Sequence, residues 1–372
     1  MRIFATLAVF LAVASAQAQW TIQDAHTTAD LRGIHSIGNG IAWASGTHGT
    51  VLRTTDDGTH WQTCAMPPDA EKSDLRGIQA FDAVTAVVMS SEKGYLSRIY
   101  KTTDACKSWK LVFTNPDKDG YFNAVQLTHG KRLDVLGDAV RGKFAMFFAE
   151  DAGDTWYAVG ESGRDAPAEA HIFSASNSAL LSIGSFAFFG TGAGVATPPQ
   201  IYRTRPHCGP TPENPKASPM ECVLEWTPAT VPLGSTGTAA GVLSLAARDN
   251  GFTKDGLPKV IVVAVGGSND QSAQNSGTCA ISEDGGQSWT LASTPTHGFR
   301  SAVAYDQKSK TWIAVGFNGT DISTDDGHTW RALIPGSTDE PNADKNWNAL
   351  SLPFAVGPHG RIGKLNSAAL TK

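Results

Sequence analysis

An eight-residue pattern, Ser/Thr-x-Asp-x-Gly-x-x-Trp, stands complete at 323–330 and recurs at 54–61, 102–109, 149–156 and 282–289, with one lapse each at 102–109 and 149–156. Asp and Trp are kept in every copy: Asp56, Asp104, Asp151, Asp284 and Asp325, each followed five residues later by Trp61, Trp109, Trp156, Trp289 or Trp330. Recurrence of this kind restricts the chain to a repeat architecture, in which each unit buries its apolar face on its neighbours. The residue types predict a tight turn between antiparallel strands. The Asp carboxylate accepts backbone N–H groups, Gly supplies a positive φ, and Trp opens the next strand and fills the wedge between adjacent sheets. All of these are structural tasks, so the five Asp residues are expected to cap turns rather than act as acids or bases.

Successive turn Asp residues lie 48, 47, 133 and 41 residues apart, so the long interval holds two units. In the first of them the turn is degenerate: Ile201-Tyr202-Arg203-Thr204 matches Val51-Leu52-Arg53-Thr54, and Val223-Leu224-Glu225-Trp226 supplies the strand that follows. Each unit reads as three strands before the turn and one after it, as at 31–37, 40–45, 50–54 and 60–64. Alternating apolar runs at 261–265 and 311–315 predict central strands. Beyond Trp330 there is room for three more strands (347–352, 354–356, 361–365) but no fourth. The missing one is expected at the other end, where Gln19-Trp20-Thr21-Ile22-Gln23 matches the Trp-led outer strands. The prediction is an all-β fold: a seven-bladed β-propeller of four-stranded antiparallel blades, spanning 19–372 as one domain and closed by its N-terminal strand, which removes open sheet edges.

Residues 1–18 carry one cation, Arg2, then the apolar run 3–13 and Ala16-Gln17-Ala18, the layout of a secretory signal peptide. The run is too short to span a bilayer, so the chain is expected to be secreted or periplasmic, with no membrane span. A net charge of −5 argues against nucleic acid as a partner, because that binding needs cationic surface. Five Cys in an exported chain invite disulfides. Cys208 and Cys222 bracket a Pro-rich insertion at 205–222 and are expected to pair. Cys64 and Cys106 are a possible second pair, which leaves Cys279 as a buried strand residue. No Cys-x-x-Cys or His-x-x-x-His spacing suggests a metal, and no cofactor is implied.

Turns of this kind are similar to the Asp-boxes (BNR repeats) of sialidase-type propellers. Together with the blade-opening runs Asp30-Leu31-Arg32-Gly33-Ile34 and Asp74-Leu75-Arg76-Gly77-Ile78, the chain resembles the photosystem II stability/assembly factor family within the sialidase-like superfamily. That resemblance covers the mature chain and implies a lumenal or periplasmic propeller, its motifs defining architecture more than activity. The Arg-x-Pro signature expected ahead of a sialidase's first box is absent.

Aligning the units on their first strands places Arg32, Arg76, Asn123, Asn177, Ala240, Arg300 and Asn348 at one level, on the face opposite the turns. Blade 7 adjoins blade 1, so Arg300, Asn348, Arg32 and Arg76 are expected to form an arc around one mouth of the channel. Guanidinium forks suit carboxylates, sulfates or phosphates. Phe122, Phe299 and Trp347 precede strand openers and are expected to form a stacking wall. The competing expectation is that each Arg is satisfied by the Asp two residues before it. The function expected is a monomeric, non-enzymatic scaffold that binds an acidic partner segment or an anionic ligand at the mouth. The alternatives are a sialidase-like glycoside hydrolase, for which Asp30, Asp74, Glu92, Asp138 and Tyr121 are available but unpaired by spacing, and a carbohydrate-binding propeller that relies on Trp347.

Overall fold

In a computed structural model, the chain forms seven four-stranded antiparallel sheets. The structure describes residues 18–371 apart from 161–162, 168–169, 175, 193–197, 209–221, 235–239, 253 and 255–257. The expected signal peptide, but for Ala18, and most of the Pro-rich insertion therefore lie outside the described residues. Blade 1 is Leu31–Gly38, Ile41–Gly46, Val51–Thr54 and Gln62–Thr63. The first strand of every blade touches the first strands of both neighbours, which closes a ring around an axis. Blade 7 combines Ala349–Ser351, Phe354–Val356 and Ile362–Leu365 with the N-terminal strand Trp20–Gln23, in register Trp20↔Leu365 through Gln23↔Ile362. The closure expected from sequence is thus present. Among the described residues, no helix is long and apolar enough to cross a membrane.

The repeated turn joins the third strand of a blade to its fourth. In blade 6 the Asp325 carboxylate accepts the Ser323 hydroxyl at 2.8 Å, the Thr329 N–H at 2.9 Å and the Thr329 hydroxyl at 2.6 Å, while Gly327 N–H donates to Ser323 Oγ at 3.0 Å. Asp56, Asp104, Asp151 and Asp284 accept the matching bonds in their own turns. Donors converging on one carboxylate favour its charged form. Hydrogen bonds from His60 hold Asp56 at about 2, and those from Ser108 hold Asp104 at about 2.

The turns also seal the seams between blades. Trp61 of blade 1 packs edge-on against Phe354 of blade 7, and Trp109 of blade 2 meets Trp43 of blade 1 in the same way. Trp330 sits with Val263 and Ile281 of blade 5, and Trp20 with Ile313 and Ile322 of blade 6. Each outer-strand Trp therefore fills the wedge toward the preceding blade. In blade 2, Cys106 holds the Gly position with φ 61° and is disulfide-bonded to Cys64, which links the turn to the chain leaving blade 1. The main-chain register sets Cys208 opposite Cys222, but their side chains, and with them the expected bond, lie outside the described ones. Cys279 is buried, and burial pushes its thiol pKa up.

Blades 4 and 5 depart most from the repeat. In blade 4, Gln200–Cys208 and Cys222–Thr230 run on as a long hairpin in place of a turn. In blade 5, Ala240–Phe252 and Pro258–Ser268 extend beyond the ring, and Arg248 of the extension clamps Asp326 of blade 6 through Nε at 2.6 Å and Nη2 at 2.7 Å.

Blades 1 and 2 are joined near the axis by a neutral histidine. His35 Nδ1 accepts the Ala80 N–H at 2.8 Å, and burial lowers its pKa to about 4. A depressed histidine stabilises the fold fully above its unfolded value of 6.5, and that contribution is lost as pH falls toward the folded value. Unfolding free energy should therefore drop by at most roughly 3 kcal/mol between pH 7 and pH 4 through this group. Urea titrations at several pH values should show a flatter profile over that window for His35→Gln than for the wild type.

Candidate functional site at the propeller mouth

Strand direction places the starts of the first strands, and the loops joining second to third strands, on the face opposite the turns. The seven aligned positions are there, but they divide into different roles. The amides are inter-blade ties. Asn123 Nδ2 donates to Ile172 O at 2.7 Å. Asn177, at φ 60°, both accepts the Val125 N–H and donates to Val125 O, each at 2.8 Å. Asn348 Nδ2 donates to Leu31 O at 2.8 Å. These bonds tie each amide to the main chain of a neighbouring segment.

Arg300 corrects the expected arc. Its side chain is 1% exposed and is paired with Asp321, which is fully buried. Nε donates to Asp321 Oδ2 at 2.8 Å, and Nη1 donates to Phe299 O at 2.8 Å and to Asn318 Oδ1 at 2.7 Å. The other Asp321 oxygen contacts His297 Nδ1 at 2.6 Å. Asp321 lies four residues before its turn Asp, where blade 1 carries Leu52. A carboxylate inside the blade draws this arginine inward, away from the mouth.

The stacking wall is also corrected. Trp347 is 1% exposed, with its ring 5.0 Å from that of Trp20 and the Arg361 guanidinium 4.6 Å from it on the other side. Phe122 and Phe299 are buried as well. These aromatics precede strand openers because they fill seams, so the face holds no platform made from them.

Arg32 and Arg76 remain at the mouth, about one quarter exposed. They are not equivalent. Arg76 is satisfied as expected, with Nε and Nη2 each 2.8 Å from Asp74 Oδ2 and Nη1 donating to Ser174 O at 3.2 Å. Arg32 is not. It makes long ion pairs with Asp30 at 3.6 Å and Asp74 at 3.7 Å, beyond hydrogen-bond distance, and its side chain makes no hydrogen bond among the described residues. Asp74 Oδ1, buried beside it, has no hydrogen-bond partner either. The Asp74 N–H donates to Glu92 Oε1 at 3.1 Å, which brings a third carboxylate to the cluster.

Around this centre, burial raises the Tyr121 phenol, opposed by its hydrogen bond to Ser174 and by the Arg76 charge. Burial likewise raises Asp138, whose carboxylate accepts the Ile172 N–H at 2.9 Å. The carboxyl groups considered for catalysis are thus engaged with main chain or guanidinium. Among the described residues, no group of three or more His, Cys, Asp and Glu is placed to hold a metal.

The same architecture occurs in solved structures. A YCF48 structure bound to D1 peptide matches 95% of this chain and 99% of its own, at 17% identity and TM-score 0.58. YCF48 from Cyanidioschyzon merolae matches 94% of this chain and 100% of its own, at 17% identity and TM-score 0.61. This chain has the fold of YCF48. The likeness to YCF48 covers nearly the whole chain. An ancestral GH74 enzyme also matches 95% of this chain, but only 47% of its own, at 10% identity and TM-score 0.57. No protein-family model matches the sequence, and no curated protein matches it.

Proposed function

We propose that this chain is an exported, non-enzymatic binding scaffold that docks a carboxylate-bearing segment of a partner protein on Arg32 at the propeller mouth. The observation that carries this reading is the state of Arg32: a guanidinium about one quarter exposed, at the start of an inner strand, without a hydrogen bond among the described residues. A partly desolvated fork gains most from a carboxylate that completes its bonds. Support also comes from the YCF48 fold, one example of which holds a D1 peptide. Asn348 of blade 7, bonded to the Leu31 carbonyl, fixes the main chain beside Arg32.

The test is capture of partners from an envelope extract by the purified mature chain and by Arg32→Ala, with a fluorogenic glycoside panel run on both. A charge-assisted hydrogen bond contributes about 1.5–3 kcal/mol, so retention should fall roughly tenfold to a hundredfold in the variant. Glycoside turnover by the wild type, lost with Asp74→Asn or Glu92→Gln, would replace this reading with a hydrolase.

A further inference from the structure

The charge count at the mouth restricts what it accepts. Two guanidiniums, Arg32 and Arg76, face three carboxylates, Asp30, Asp74 and Glu92. This cluster, with two cations against three anions, does not attract a polyanion through its field. Local geometry adds a second restriction. Arg76 holds Asp74 by one oxygen, Oδ2, and the other oxygen points toward Arg32 Nε but stops at 3.7 Å. An incoming carboxylate would bond Arg32 from the exposed side and meet Asp74 as a like charge on the other.

Resting on the proposed role of Arg32, we infer that Asp74 is an internal competitor for the incoming group. The mouth takes one carboxylate with uncharged neighbours, rejects acidic runs, and binds more tightly once Asp74 is neutralised. The chemistry fits a chain-terminal α-carboxylate or a lone Glu or Asp side chain. The repulsion is partly exposed, since Asp74 is 19% and Arg32 26% exposed, so its removal is expected to tighten binding about fivefold rather than by orders of magnitude.

The experiment titrates the full mature chain, followed by nuclear magnetic resonance up to millimolar ligand, with four peptide probes, three of them Gly/Ser-based. One ends in a free carboxylate, one is amidated with a single internal Glu, one is amidated without any acid, and one is hexaglutamate. Wild type should bind one or both single-carboxylate probes and not the neutral one, with the first two arms separating a terminal from a side-chain group. Hexaglutamate should bind no more tightly than the better single-carboxylate probe. Asp74→Asn should tighten that probe about fivefold, and Arg32→Ala combined with Asp74→Asn should abolish the gain. Asp74→Ser, judged folded by near-ultraviolet circular dichroism, gives a second variant should the Asn form be unstable.

Unchanged or weaker binding in both folded Asp74 variants, with Arg32→Ala still damaging in the wild type, overturns the competitor role and leaves the Arg32 reading standing. Hexaglutamate binding far more tightly than a single carboxylate overturns the selectivity in the same way. No binding of any probe by wild type or either Asp74 variant, or binding indifferent to Arg32→Ala, overturns both.

Discussion

Asp321→Ala should lower the unfolding free energy by about 3–5 kcal/mol, because it strands the Arg300 guanidinium in a site that is 1% exposed. The carboxylate holds Arg300 through Nε and Nη2 on one oxygen and His297 on the other, and Asp344, whose charge also reaches Arg300, makes no ion pair with it. The cost belongs to breaking the pair, not to having one. Replacing both partners with apolar residues of similar size, Arg300→Met with Asp321→Leu, should recover most of the loss. Denaturant titration of the wild type and both variants checks this. A single variant as stable as the wild type would mean that Arg300 reaches solvent and belongs to the mouth after all.

Trp347→Ala should cost a comparable amount, about 3–5 kcal/mol, through the cavity left where the ring packs between Trp20 and Arg361. Its consequence is local as well as global. Trp20 belongs to the strand that closes blade 7, so the amides of Trp20–Gln23 should exchange hydrogen faster than those of other outer strands. Hydrogen-exchange mass spectrometry of the wild type and variant measures it. A stable variant that instead lost binding to sugars would restore Trp347 as an exposed platform and contradict the packing described here.

The fold was largely legible in the sequence because its repeated turn makes demands that few residues meet. Asp must accept several N–H groups within one turn, and a large ring must fill each seam, so Asp56 and Trp61 can be found again at Asp325 and Trp330 without knowledge of the fold. Trp20 gave away the ring closure for the same reason. The site was less legible. Arg32 and Arg300 occupy equivalent places along the chain, and what separates them is a residue two strands away, Asp321 in blade 6 against Leu52 in blade 1. Alignment along one strand carries no information about that cross-strand partner. An aromatic ahead of a strand opener reads the same whether it faces solvent or a seam, which is how Trp347 was misplaced. The Asp-x-Arg spacing predicted Arg76 satisfied by Asp74, but it also predicted the same for Arg32 and Asp30, where the distance is 3.6 Å. The signal for Asp321 was present as a lone acid within the strand Gly319–Ser323, whose five residues are all buried.

The most direct test of the mouth is to follow the arginine side-chain Nε–Hε resonances by ¹H–¹⁵N correlation while titrating the neutral-flanked peptide that ends in a free carboxylate. Arg32 should shift along a saturable curve, Arg76 by less, and buried Arg300 should not move. Saturable binding of the peptide with the Arg32 resonance unmoved, or with Arg300 shifting in its place, would contradict the assignment of Arg32 as the group that receives the partner.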